Sequence, residues 1–109
     1  MSSIKTNKVV ANFSIVPMGQ KSTSIGSYVA AAITAINEIE GVKYEVTPMG
    51  TVIEADSLDT LFEAVKATHE AFVNKGILRV ESTLPIDDRR DKPRTMKDKV
   101  DSAKNHMKL

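Results

Sequence analysis

Thr47-Pro48-Met49-Gly50-Thr51-Val52-Ile53-Glu54-Ala55-Asp56 is the stretch that decides the fold. Two runs rich in strand-forming residues, 43–47 and 51–55, flank a short break holding Pro48 and Gly50. A proline and a glycine between two such runs predict a tight hairpin. Glu54 lies inside the second run, where a strand buried on both faces would carry an apolar residue. The hairpin is therefore expected to sit at the middle of the fold with one polar face.

Working outward, residues 9–18 alternate as a strand: Val9, Ala11, Phe13 and Ile15 point one way, and Val10, Asn12, Ser14 and Val16 the other. Pro17 and Gly19 close it. A cluster of hydroxyl residues, Ser22, Thr23, Ser24 and Ser27, can cap a first helix. That helix carries Ile25, Val29, Ala32, Ile33 and Ile36 at helical spacing and stops at Gly41. The strand after it turns Val42, Tyr44 and Val46 to one face and Lys43, Glu45 and Thr47 to the other.

Beyond the hairpin, Asp56 or Ser57 caps a second helix with the stripe Leu58, Leu61, Phe62, Val65, His69 and Phe72, ended by Gly76. A last strand is expected from Ile77 to about Ile86, with Leu78, Val80 and Ser82 on one side and Arg79, Glu81 and Thr83 on the other. The order β-α-β-β-α-β is the ferredoxin-like arrangement, an α+β sandwich with an antiparallel sheet and both helices on one face. Asn12, Ser14, Glu45, Thr47, Glu54, Arg79, Glu81 and Thr83 then fall on the uncovered face, with Val16, Met49 and Val52 among them. A mixed face of this kind meets water or another subunit.

The charged run Asp87-Asp88-Arg89-Arg90-Asp91-Lys92-Pro93-Arg94 follows. It reads either as a solvated segment or as a latch whose arginines grip carboxylates or a ligand anion. Thr95 caps a short C-terminal helix with a narrow stripe, Met96, Val100, Ala103 and Met107, which must dock on this subunit or a neighbour. One domain, 1–109, is expected: a core of about 8–87 and a C-terminal latch and helix over 88–109.

Composition narrows the functional classes. A net charge of +1 offers no electrostatic footprint for nucleic acid. No cysteine is present, which excludes disulfides, thiolate metal ligands and thiol catalysis. No apolar run approaches the ~18 residues that a membrane span needs, and the first eight residues lack a secretion signal's apolar core. A cytoplasmic location is expected. His69 lies in an apolar stripe, where a histidine serves packing, and His106 is its only companion, too little for a metal centre. No catalytic triad or phosphate loop is legible, so no enzyme and no cofactor are expected.

For Glu54 two readings stand. It can be a salt-bridged strand residue, paired with Arg79 across the sheet. Alternatively, its carboxylate can accept from a ring N–H and an exocyclic amine together, the donor pair of an aminopyrimidine.

Three segments carry a resemblance: Asn12-Phe13-Ser14-Ile15-Val16-Pro17-Met18-Gly19, the run from Val42 through Thr47-Pro48-Met49-Gly50-Thr51-Val52-Ile53-Glu54, and Asp87-Asp88-Arg89-Arg90-Asp91-Lys92-Pro93-Arg94-Thr95-Met96. In this order, from about Val9 to Val100, they resemble the small thiamine-binding protein family. The resemblance implies a ferredoxin-like subunit, assembled as a homodimer or homotetramer, that binds thiamine or its hydroxymethylpyrimidine part without catalysis. It makes Ser14, Ser24, Thr47, Met49, Thr51, Glu54, Asp88 and Arg89 the expected ligand-binding residues. The Ser/Thr stretch around Ser24 matches more loosely than the rest. A purely structural or regulatory oligomeric module is the alternative.

Overall fold

The computed structural model describes residues 8–21, 24–92 and 95–107. Its elements run β1 (Val9–Pro17), α1 (Gly26–Asn37), β2 (Val42–Thr47), β3 (Gly50–Ala55), α2 (Leu58–Asn74), β4 (Val80–Thr83), β5 (Ile86–Asp87) and α3 (Met96–His106). The sheet order is β2-β3-β1-β4, every pairing is antiparallel, and β5 continues along β1 beside β4. This is the ferredoxin-like α+β fold.

The register assigns the faces. Val10 stands opposite Glu54, which stands opposite Lys43, while Phe13 stands opposite Thr51. Val9, Ala11, Phe13, Ile53 and Ala55 therefore share one face and pack with Ile36, Leu61 and Ala64 of α1 and α2. A second cluster, Ala32, Phe72 and Ile77, extends this layer, with the Tyr28 ring tilted against Phe72 at 5.5 Å. Residues buried this fully, Phe72, Ile36, Ile53 and Leu61 among them, each contribute roughly 1.5–3 kcal/mol by leaving water.

Gly50 makes the hairpin possible. Its φ is +158°, and a Cβ there would stand 2.9 Å from the Phe13 carbonyl oxygen, so only glycine lets β3 come this close to β1. Thr47 closes the turn: its hydroxyl donates to the Gly50 carbonyl (2.9 Å) and accepts from the Met49 N–H (3.3 Å).

Four expectations are corrected. The last strand begins at Val80, leaving Leu78 fully exposed and Arg79 outside the strand, its carbonyl accepting from Met18 N–H. That strand is also broken at Leu84 and Pro85, because proline has no N–H for the ladder. The register nevertheless persists, with Asn12 N–H donating to the Pro85 carbonyl at 3.0 Å and Asp87 opposite Val10. The buried stripe of α2 is Leu61, Ala64, Thr68 and Phe72, with Phe62 half exposed, so the apolar face is rotated from the one expected. Finally, α1 begins from Ile25 with no side-chain cap. Ser24 lies just ahead of it, and the proposed caps Ser22 and Thr23 lie outside the described residues.

Other expectations hold. Ser57 caps α2, its hydroxyl accepting from Thr60 N–H. Thr95 caps α3 in a reciprocal capping box: Thr95 accepts from Asp98 N–H (3.0 Å), and Asp98 accepts from Thr95 N–H (3.1 Å).

Candidate functional site

The face of the sheet turned away from α1 and α2 carries three cross-strand rows. Lys43, Glu54, Val10 and Asp87 form the first, and Glu45, Val52 and Asn12 the second. The third holds Ser14 and Thr83, with Thr47 and Gly50 beyond them. Four residues of strand separate the first row from the third, about 14 Å at ~3.4 Å per residue.

In the first row Val10 and Glu54 are buried, Glu54 against the start of α3, while Lys43 and Asp87 at its ends are exposed. Glu54 is only 3% exposed, and its Oε1 accepts from the Met96 N–H at 2.9 Å. Met96 is the first residue of α3, so a buried carboxylate meets one of the unpaired amides and the positive end of the helix dipole. The cation beside Glu54 is Lys8 rather than Arg79: its Nζ lies 3.9 Å from Glu54 Oε2 and 2.9 Å from Asp56 Oδ1. The hydrogen bond to Asp56 and the attraction of Asp56 and Glu54 outweigh desolvation and hold the Lys8 ammonium above its usual pKa.

One turn further along α3, Lys99 pairs with Asp87 of β5. Between helix and sheet lies an open cavity of about 260 Å³, lined by Val10, Asn12, Val52, Pro85, Ile86, Asp87 and Lys99 among others. Its floor is apolar, and its polar groups are one amide, one carboxylate and one ammonium. The break at Pro85 shapes this wall, since its ring stands where a ladder amide would be.

The expected binding residues divide. Glu54 lies in the row beneath α3. Ser14 and Thr47 are half-buried on the same face but at its far end, and Met49 is 85% exposed at the hairpin tip. Thr51, opposite Phe13, is buried in the helix-covered face. Ser24 is exposed ahead of α1. Asp88 and Arg89 belong to the charged run, within which Arg90 grips Asp88 at 2.8 Å and Arg89 grips Asp91 at 2.7 Å. Pro93 and Arg94 lie outside the described residues.

Sequence reasoning passed over Val10, Pro85 and Lys99. The alternation did place Val10 with Asn12 and Val52, but nothing local indicates that Lys99 reaches back to Asp87. His69 serves packing, its Nε2 lying 2.8 Å from the Ser82 hydroxyl between α2 and β4. Among the described residues no cluster of three potential metal ligands occurs, and no helix is long and apolar enough to cross a membrane.

The sequence and the fold have known relatives. Residues 11–104 match the family of thiamine-binding proteins. The UPF0045 protein of Methanothermobacter thermautotrophicus is 51% identical over 96 residues, covering 88% of this chain and 96% of its own. A Bacillus subtilis UPF0045 protein is 40% identical over 101 residues, covering 90% and 96%. The crystal structure of a hypothetical protein from Methanocaldococcus jannaschii superposes with a TM-score of 0.81 at 38% identity, covering 90% of this chain and 97% of that one. A Thermotoga maritima protein named for thiamine biosynthesis and salvage superposes at 0.71 with 25% identity, covering 88% and 98%. By the extent of these matches, the chain belongs to the thiamine-binding protein family.

Proposed function

We propose that this protein binds thiamine, or its hydroxymethylpyrimidine part, without chemical change, in the cavity between α3 and the open face of the sheet. The observation that carries this reading is the make-up of that cavity in a chain of this family: an apolar floor of Val10, Val52 and Pro85 with Asn12 and Asp87 beside it. A flat heteroaromatic ring needs apolar flanks and a few fixed polar groups. The Asn12 amide can donate to and accept from an aminopyrimidine edge, and a carboxylate suits the thiazolium charge. Glu54 acts beneath the site, its carboxylate committed to the first turn of α3. Isothermal titration with thiamine and with hydroxymethylpyrimidine tests the reading. Saturable heat with at least one ligand is expected, and no heat from either at millimolar concentration removes it.

A second reading, assembly into a homodimer or homotetramer, is favoured by α3. Val100 on α3 and Met107 at its C-terminal cap remain 50% and 55% exposed, and α3 has no buried residue. Light scattering of the purified chain tests it, and a strictly monomeric mass removes it.

A further inference from the structure

We infer that Asp87 makes the cavity selective for cationic heteroaromatic ligands and that Lys99, its ion-pair partner, is an exchangeable gate which the ligand's charge must displace; this rests on the binding reading above. The two side chains come from opposite walls, Asp87 from β5 and Lys99 from α3, and both line the same cavity. Their pairing ties the second turn of α3 to the sheet, whereas Glu54 ties the first.

Three features make the pair exchangeable. Both side chains are nearly half exposed, at 49% for Asp87 and 42% for Lys99, and an ion pair so open to water holds only weakly. The ammonium is a compact, strongly hydrated charge on a flexible stem, so Lys99 loses little by turning back to solvent. The floor it leaves is apolar and suits a delocalised ring cation better than an ammonium. A thiazolium in the cavity can therefore take the place of Lys99 beside Asp87, burying its faces on Val10, Val52 and Pro85. A neutral ring has no charge to trade and leaves the pair as it is. Arg89, which grips Asp91, also feels the field of Asp87 and is kept in every variant below.

Lys99 is thus a competitor of the ligand and Asp87 its counter-charge. The test compares the affinity ratio, thiamine over hydroxymethylpyrimidine, in the wild type, Lys99→Met and Asp87→Asn. Methionine keeps the apolar stem and removes the rival charge. The ratio should rise roughly 3–5-fold in Lys99→Met and fall by roughly 3–5-fold in Asp87→Asn, the upper part of the range for one partly exposed charge contact. Thermal unfolding of each variant verifies that the fold persists. A ratio that is unchanged or lower in Lys99→Met, while the wild type binds thiamine, overturns the gate and leaves the binding reading standing. A wild type that binds neither ligand overturns both.

Discussion

Helices α2 and α3 start alike and are held in opposite ways. Each opens on a hydroxyl cap, Ser57 or Thr95, with an aspartate in the first turn, and each carries apolar residues at helical spacing. Yet α2 buries Leu61, Ala64, Thr68 and Phe72 against the sheet, whereas α3 buries nothing fully. Two polar contacts tie it to the body: Glu54 on the Met96 N–H and Asp87 on Lys99. Capping and periodicity specify that a helix forms. How much apolar surface its stripe offers decides whether it becomes part of the core or is tethered over a cavity.

The contrast can be broken from either side. The largest effect is expected from Phe72→Ala, which empties a fully buried site under α2 and should cost ~3–5 kcal/mol in urea unfolding. Next comes Glu54→Ala. It leaves the Met96 N–H without its acceptor and should cost ~1–3 kcal/mol, with faster amide exchange concentrated at the start of α3. Val100→Ala on the exposed stripe should change the stability of the isolated subunit by no more than ~0.5 kcal/mol. A larger loss that grows with protein concentration would mean that the stripe is covered by a second copy.

The smallest effect concerns Lys8. Its pKa is raised in the folded state, so its contribution is fully present below the ordinary value of 10.5 and is lost as pH climbs through the higher folded value. Comparing Lys8→Met with the wild type at pH 9 and again at pH 11.5 should show the gap in urea midpoint narrowing at the higher pH. A gap that widens there would contradict the assignment.

Much of the fold was legible because it rests on local signals. Period-two alternation placed Val9, Ala11 and Phe13 together, and hydroxyl caps marked Ser57 and Thr95. The proline and glycine of the hairpin fixed the centre. Phe62 and Leu78 were misplaced because apolar character alone does not say which neighbour will cover a side chain. Ala64 and Thr68, small and unremarkable in sequence, turned out to be the residues against which the layer closes. The site was less legible still. The alternation gave the face, but Glu54 meets an amide 42 positions away and Asp87 an ammonium 12 away. Chain-distant polar contacts of this kind leave no periodicity to read. The polar residues of 47–51 drew attention because the family's segment passes through them, yet Thr47 is occupied in building the turn and Thr51 faces the core.

Gly50 bears on more than the hairpin. With the Phe13 carbonyl 2.9 Å from where a Cβ would stand, one notch along β1 admits a bare backbone and nothing larger. If β3 slid by a single position during assembly, Met49 or Thr51 would arrive at that notch and collide. The same slip would turn Val52 and Glu54 toward the helices and strip the cavity of its floor. Gly50 therefore works as a steric key that rejects misaligned strands, so that only chains presenting the correct face to α3 complete the sheet.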